Sequence, residues 1–152
     1  MSPEKTQTPT SSAATVLVVD DNKDMVEILT RLLSRHGLHA LHAYSGRECL
    51  DIVQRHTVDV IVLDVMMPEM NGLEVCEVLK DMPEPPPVIL LTAKDDMATR
   101  AAGMALGVSE FVVKPVNNRD LLARIQTQLS TKQWEREIDR ASATIDPNGK
   151  PH

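Results

Sequence analysis

Aromatic side chains are nearly absent: one Phe, one Tyr and one Trp in 152 residues. A core must then be assembled from Val, Leu, Ile, Ala and Met, which suits parallel strands buried under helices and disfavours an aromatic-rich β-sandwich. Cysteine is scarce too. Cys49 and Cys76 stand in separate apolar-periodic segments with no metal-ligand spacing, so both read as small buried hydrophobes. No apolar run approaches the roughly 18 residues of a membrane span. The opening stretch MSPEKTQTPTSSAA lacks the apolar segment of a signal peptide, which makes the cytoplasm the expected compartment. Acidic residues outnumber basic ones, 22 against 16, for a formal charge of −6. That balance disfavours a domain-wide nucleic-acid or anionic-membrane surface, and neither nucleic-acid contact nor membrane insertion is expected. His36, His39, His42, His56 and His152 form no pair with Cys or acid at ligand spacing, so zinc is not expected.

What is present is regular. Hydrophobic residues make up 42% and charged residues 25%, the balance of one ordinary globular domain. A Ser/Thr/Pro-rich leader over 1–14 reads as disordered. Val16-Leu17-Val18-Val19 follows, a continuous apolar run of the kind that forms a strand buried on both faces. Met25, Ile28, Leu29, Leu32 and Leu33 then recur at helical spacing, with Gly37 where a helix ends. Leu38 to Ala43 is a more polar strand suited to a sheet edge. Ser45 can cap a helix carrying Cys49, Leu50 and Val53. Strands are expected over 60–63, 88–91 and 110–113, and helices over about 72–81, 96–106 and 118–130.

Five βα units in succession predict an α/β fold, a flavodoxin-like doubly wound (βα)5 sandwich whose parallel five-stranded sheet has the order 2-1-3-4-5. Such sheets bind ligands at the carboxyl ends of strands 1 and 3. Those ends carry Asp20-Asp21 and Asp64, while the next two strands end in Thr92 and Lys114. Each residue alone has an ordinary reading: a helix cap, a turn, an exposed lysine before a proline. Together they form a chemical set. Three carboxylates in one small site repel one another and need a cation, and oxygen ligands without His or Cys favour Mg²⁺. A lysine and a hydroxyl beside it suit a developing phosphoryl charge.

At this point the chain resembles the receiver domains of two-component response regulators over about residues 15–130. The resemblance rests on V-L-V-V-D-D-N after the leader, L-D-V-M-M-P-E-M-N-G around Asp64, L-L-T-A at 90–93 and F-V-V-K-P at 111–115, in that order. It implies that Asp64 takes a phosphoryl group from a phosphohistidine of a sensor histidine kinase or a phosphotransfer protein. It implies that Asp21, Asp64 and the Met66 carbonyl hold Mg²⁺, with Asp20 helping through water. Lys114 would pair with Asp64 at rest and with the phosphoryl oxygens afterwards. Thr92 would bond the phosphoryl group. Phe111 stands at the aromatic switch position and would turn inward as Thr92 moves. Lys114-Pro115 matches a cis peptide, and the surface of the fourth helix, fifth strand and fifth helix would change shape for a downstream effector or an output module. Phe111 lacks the hydroxyl of the tyrosine common at its position, so no hydrogen bond holds its outward rotamer. Met66 and Lys94 stand where the resemblance places residues that tune phosphate lifetime.

Rival readings lose specific residues. A phosphatase or phosphomutase working through an aspartyl phosphate would need a second acid two positions after the nucleophile, where Met66 stands. A nucleotide site would need a glycine-rich loop after the first strand, and Asp21-Asn22-Lys23-Asp24 is not one. A pseudo-receiver acting only as a binding module would be expected to lack one of the site residues. The chain is thus read as a signalling domain and not as an enzyme with its own substrate. Residues 131–152 read as a helical extension with Trp134 and Ile138 on one face, then a disordered tail too short for a DNA-binding domain. A complete single-domain regulator and a receiver cut from a longer protein both fit, and dimerisation on phosphorylation is a further implication of the resemblance.

Overall fold

The computed structural model describes residues 13–143 except residue 94, and over 132–143 it describes the backbone alone. Most of the leader, Lys94, the tail beyond Ala143 and the side chains of Trp134 and Ile138 lie outside the described residues. In chain order the elements are β1 (Thr15–Val19), α1 (Lys23–Arg35), β2 (His39–Ala43), α2 (Gly46–Arg55), β3 (Val60–Asp64), α3 (Gly72–Leu79), β4 (Val88–Thr92), α4 (Met97–Ala105), β5 (Glu110–Val113) and α5 (Asn118–Ala143). All strand pairs are parallel, and the sheet order is β2-β1-β3-β4-β5. This is the expected 2-1-3-4-5 arrangement.

Side-chain alternation along each strand divides the core in two. Leu17, Val19, Ile61, Leu63 and Leu90 pack with Cys49, Val53, Val75, Cys76 and Leu79 of α2 and α3, and Phe111 and Leu106 join that side. Val16, Val18, Val60, Val62, Ile89, Leu91 and Val112 pack with Val26, Leu29 and Leu33 of α1 and with Leu121 and Ile125 of α5. The central strands are apolar throughout because both their faces are covered. Strand β2 lies at the edge of the sheet and carries exposed His39 and His42.

One helix face differs from expectation. Ile28 is 54% exposed, and the buried stripe of α1 is Val26, Leu29 and Leu33, with Met25 partly buried beside it. Ile28 and Val26 lie about 160° apart around a helix, so only one of them can face the sheet. Helix α3 stops at Leu79 rather than near 81, with Lys80 as its C-cap.

The helices begin where side chains satisfy their free N–H groups. Asn22 Oδ1 accepts from Met25 N, Ser45 Oγ from Glu48 N, and Asn117 Oδ1 from Asp120 N. Asn71 and Glu74 cap α3 reciprocally, each bond 2.9 Å long. Gly37 closes α1 with φ +78°, a left-handed conformation that other residues adopt at a cost.

Candidate functional site

Strand β1 leads on to β2 on one side and its neighbour β3 leads on to β4 on the other, so the connections diverge and the carboxyl ends of β1 and β3 flank the resulting crevice. Asp20 and Asp21 follow β1, and Asp64 is the last residue of β3. One carboxylate oxygen from each lies within 4.8 Å of the others. Asp20 and Asp64 are each 2% exposed, whereas Asp21 is open to solvent.

Burial of carboxylates this close together is costly and must be compensated. Asp64 Oδ1 meets Lys114 Nζ at 2.6 Å. Asp20 Oδ1 accepts from Asn22 N at 3.0 Å, but Asp20 Oδ2 is buried with no hydrogen-bond donor among the described residues. Burial pushes the Asp20 carboxyl up to about 6; the neighbouring Asp64 adds to the rise, while the Asn22 N–H and Lys114 oppose it. A buried carboxylate oxygen without a donor, in a three-acid cluster free of His and Cys, fits a hard divalent cation such as Mg²⁺.

The remaining expected residues sit on the same edge. Thr92 ends β4, is 2% exposed, and its hydroxyl donates only a long 3.4 Å bond to Ala93 O. Lys114 follows β5, its N–H bonded to Thr92 O at 2.9 Å, and the Lys114-Pro115 peptide is cis. Met66 is 74% exposed at the mouth of the site, while Met67 is buried in the core. Phe111 is half-buried on the α4 side of the sheet, packed beside Gly103 and Leu90. The structure therefore brings Asp20, Asp21, Asp64, Thr92 and Lys114 together, with Phe111 one layer below. A cleft of about 780 Å³ opens at the opposite, amino-terminal edge of the sheet, between Val58, Pro87 and Gln128, and holds none of these residues.

Two glycines belong to this arrangement, although the sequence marked neither as functional. A Cβ on Gly72 would lie 2.6 Å from Asp64 O and 2.9 Å from Val65 Cα, and Gly72 N–H donates to Val65 O at 2.9 Å. The start of α3 thus presses directly on the backbone that carries Asp64. A Cβ on Gly103 would lie 2.9 Å from Phe111 Cε1. Gly72 stood inside the motif around Asp64, where it read as a helix start. Gly103 had no signal, because its contact with Phe111 of the following strand arises only when α4 packs against the sheet.

Comparison with known proteins agrees with this geometry. Residues 16–126 match the family described as the response regulator receiver domain. The chain is 41% identical over 114 residues to the response regulator MprA of Mycolicibacterium vanbaalenii, a match covering 75% of this chain and 49% of that protein. It is 34% identical over 134 residues to the transcriptional regulatory protein CpxR of Escherichia coli, covering 86% and 57% respectively. The chain spans about half the length of these curated relatives. Among solved structures, the chemotaxis response regulator CheY4 of Vibrio cholerae superposes with a TM-score of 0.72 at 32% identity, over 77% of this chain and 99% of that one. A CheY-like receiver domain protein from Methanospirillum hungatei superposes at 0.78 with 24% identity, over 82% and 99%, a likeness of fold alone.

Proposed function

The chain belongs to the response regulator receiver family of two-component systems, and on that premise we propose that Asp64 is its phosphoacceptor, working with Mg²⁺. The observation that carries the reading is the Asp64 carboxylate: buried, paired with Lys114, and clustered with Asp20, whose second oxygen has no hydrogen-bond donor among the described residues.

The phosphoryl donor is a phosphohistidine on a sensor kinase or phosphotransfer protein. An Asp64 carboxylate oxygen attacks phosphorus, the P–N bond breaks, and its electron pair leaves with the imidazole, which takes up a proton. Asp21, Asp64 and the Met66 carbonyl would hold Mg²⁺, with Asp20 helping, and the ion would offset the clustered negative charge of carboxylates and phosphoryl oxygens. Lys114 moves from the free carboxylate to a phosphoryl oxygen without leaving the site. Thr92, whose hydroxyl is only weakly engaged at rest, donates to another. These donors stabilise charge where it develops. The acyl phosphate is later hydrolysed, and the domain catalyses only its own phosphorylation and dephosphorylation, in the cytoplasm.

Movement of Thr92 opens space on its side of the sheet, which it shares with Leu90 and Phe111 by strand alternation. Phe111 turns inward, and the α4-β5-α5 surface changes shape for a downstream protein or output module. No direct nucleic-acid contact belongs to this reading, and dimerisation on phosphorylation is compatible with it.

The test is intact-mass measurement after incubation with Mg²⁺ and acetyl phosphate. One added phosphoryl group that requires Mg²⁺ and vanishes in Asp64→Asn is expected. If no group is added, and beryllofluoride with Mg²⁺ also leaves the spectra unchanged, the acceptor reading fails and a pseudo-receiver binding module replaces it.

A further inference from the structure

Strand β5 is an edge strand of four residues, and among the described residues β4 is its one strand neighbour. Its side chains alternate between two helices. Phe111 lies against Gly103 of α4, while Val112 packs in the core layer of α5. Glu110, which precedes the switch aromatic, also reaches α5. Its Oε1 accepts from Arg124 Nη1 at 2.7 Å and its Oε2 from Gln128 Nε2 at 3.0 Å. One carboxylate therefore grips two residues a helical turn apart, which constrains both the rotation of α5 and its position along its axis. Arg124 is itself oriented by Asp120, whose two oxygens accept from Nε at 3.2 and 3.1 Å.

Exposed ion pairs contribute little to stability, and a solvated pair alone would not hold two elements together. This one is partly buried, uses both carboxylate oxygens, and joins an edge strand to a helix that runs on to Ala143. From Gln128 to that end the helix extends roughly 22 Å at about 1.5 Å per residue. A tilt of roughly 10° at the grip would move the far end by roughly 4 Å, so a small displacement of β5 is amplified.

We infer that Glu110 is a positioning residue that transmits displacement of β5 to α5 through Arg124 and Gln128, which makes the distal half of α5 an output element of the domain. The inference rests on the phosphoacceptor reading for its trigger, but the grip can be tested without it.

Trp134 is the only tryptophan in the chain and stands on the distal part of α5. The intact chain is titrated with Mg²⁺ and beryllofluoride, and the bound fluoride is followed by ¹⁹F NMR and Trp134 by its emission. In the wild type both signals are expected to change with one midpoint. Glu110→Ala should bind beryllofluoride within about threefold of wild type yet lose most of the Trp134 change. Glu110→Gln should retain a large part of it, because its amide can accept from Arg124 and donate to a Gln128 amide turned over. A silent Trp134 in fluoride-loaded wild type, or a full response in Glu110→Ala, overturns the inference. Absence of bound fluoride in wild type overturns the acceptor reading instead. The grip is then judged on the metal-free protein, where amide exchange over 128–143 should quicken in Glu110→Ala and recover in Glu110→Gln; equal exchange in all three overturns it.

Discussion

Lys114 Nζ lies 2.6 Å from Asp64 Oδ1, joining the ends of two strands that are not neighbours in the sheet. Strand β4 runs between them and ends in Thr92. The ion pair spans that end, so a group arriving at Asp64 meets a hydroxyl from the adjacent strand β4 and a cation from the end of β5 beyond it.

Removing the lysine separates its two roles. Lys114→Ala leaves a buried carboxylate beside two others without its cation, and the metal-free protein should lose about 1–3 kcal/mol. Mg²⁺ should recover part of that loss. Phosphoryl uptake from acetyl phosphate should slow by about 10²–10³-fold, the usual cost of one charge-stabilising donor. Urea unfolding with and without Mg²⁺ reads the first effect and mass kinetics the second; an unchanged uptake rate would remove Lys114 from the chemistry.

Protonation of Asp20 should compete with the metal. Its carboxyl titrates at about 6 in the folded protein against an ordinary 3.8, so between those values the native state binds the extra proton. The stability this confers is complete below about 4 and is lost as pH rises through about 6. A cation needs the carboxylate, so apparent Mg²⁺ affinity should fall as pH drops through the same window. Calorimetric titrations at about pH 5 and pH 7 measure it. Asp20→Asn should flatten this step, and a step that survives in the variant belongs to another group.

Gly72→Ala places a methyl group 2.6 Å from a backbone oxygen that cannot swing aside. The expected cost is about 1–3 kcal/mol together with weaker Mg²⁺ binding, because the displaced backbone is that of Asp64. Thermal melts and a Mg²⁺ titration suffice. Wild-type values in both would mean that the loop relaxes freely and that the close approach has no consequence.

Gly103 and Phe111 should be energetically coupled. Gly103→Ala alone sets a Cβ 2.9 Å from the Phe111 ring, and crowding of this kind costs about 1–3 kcal/mol. In a Phe111→Ala background the same change should stabilise by up to about 1 kcal/mol, the helix-propensity gain of Ala over Gly. A double-mutant cycle by urea unfolding gives the coupling. A value near zero would show that the ring does not rest on that glycine.

Much of this architecture could be read from the chain. Apolar runs such as Val60 to Leu63 and helical spacings such as Leu121, Leu122, Ile125 and Leu129 are local patterns, and they specify elements and their order. Parallel βα succession then brings the strand ends to one edge, so Asp20, Asp21, Asp64, Thr92 and Lys114 could be gathered without coordinates. Local pattern was weaker on orientation: Ile28 and Val26 compete for one face of α1, and packing against the sheet selects Val26.

Contacts between layers were decided by tertiary structure alone. The pressure of Gly72 on Asp64, the seat of Phe111 on Gly103, and the grip of Glu110 on Arg124 and Gln128 each depend on how a helix sits against the sheet. The clustering of Asp20 with Asp64 and Lys114 has the same origin, since those groups lie far along the chain. Periodicity is carried by residues a few positions apart and survives in a linear string. Distance between separate elements arises only when side chains pack, which is why residue types and their order could be assigned from the chain while couplings between them required the fold.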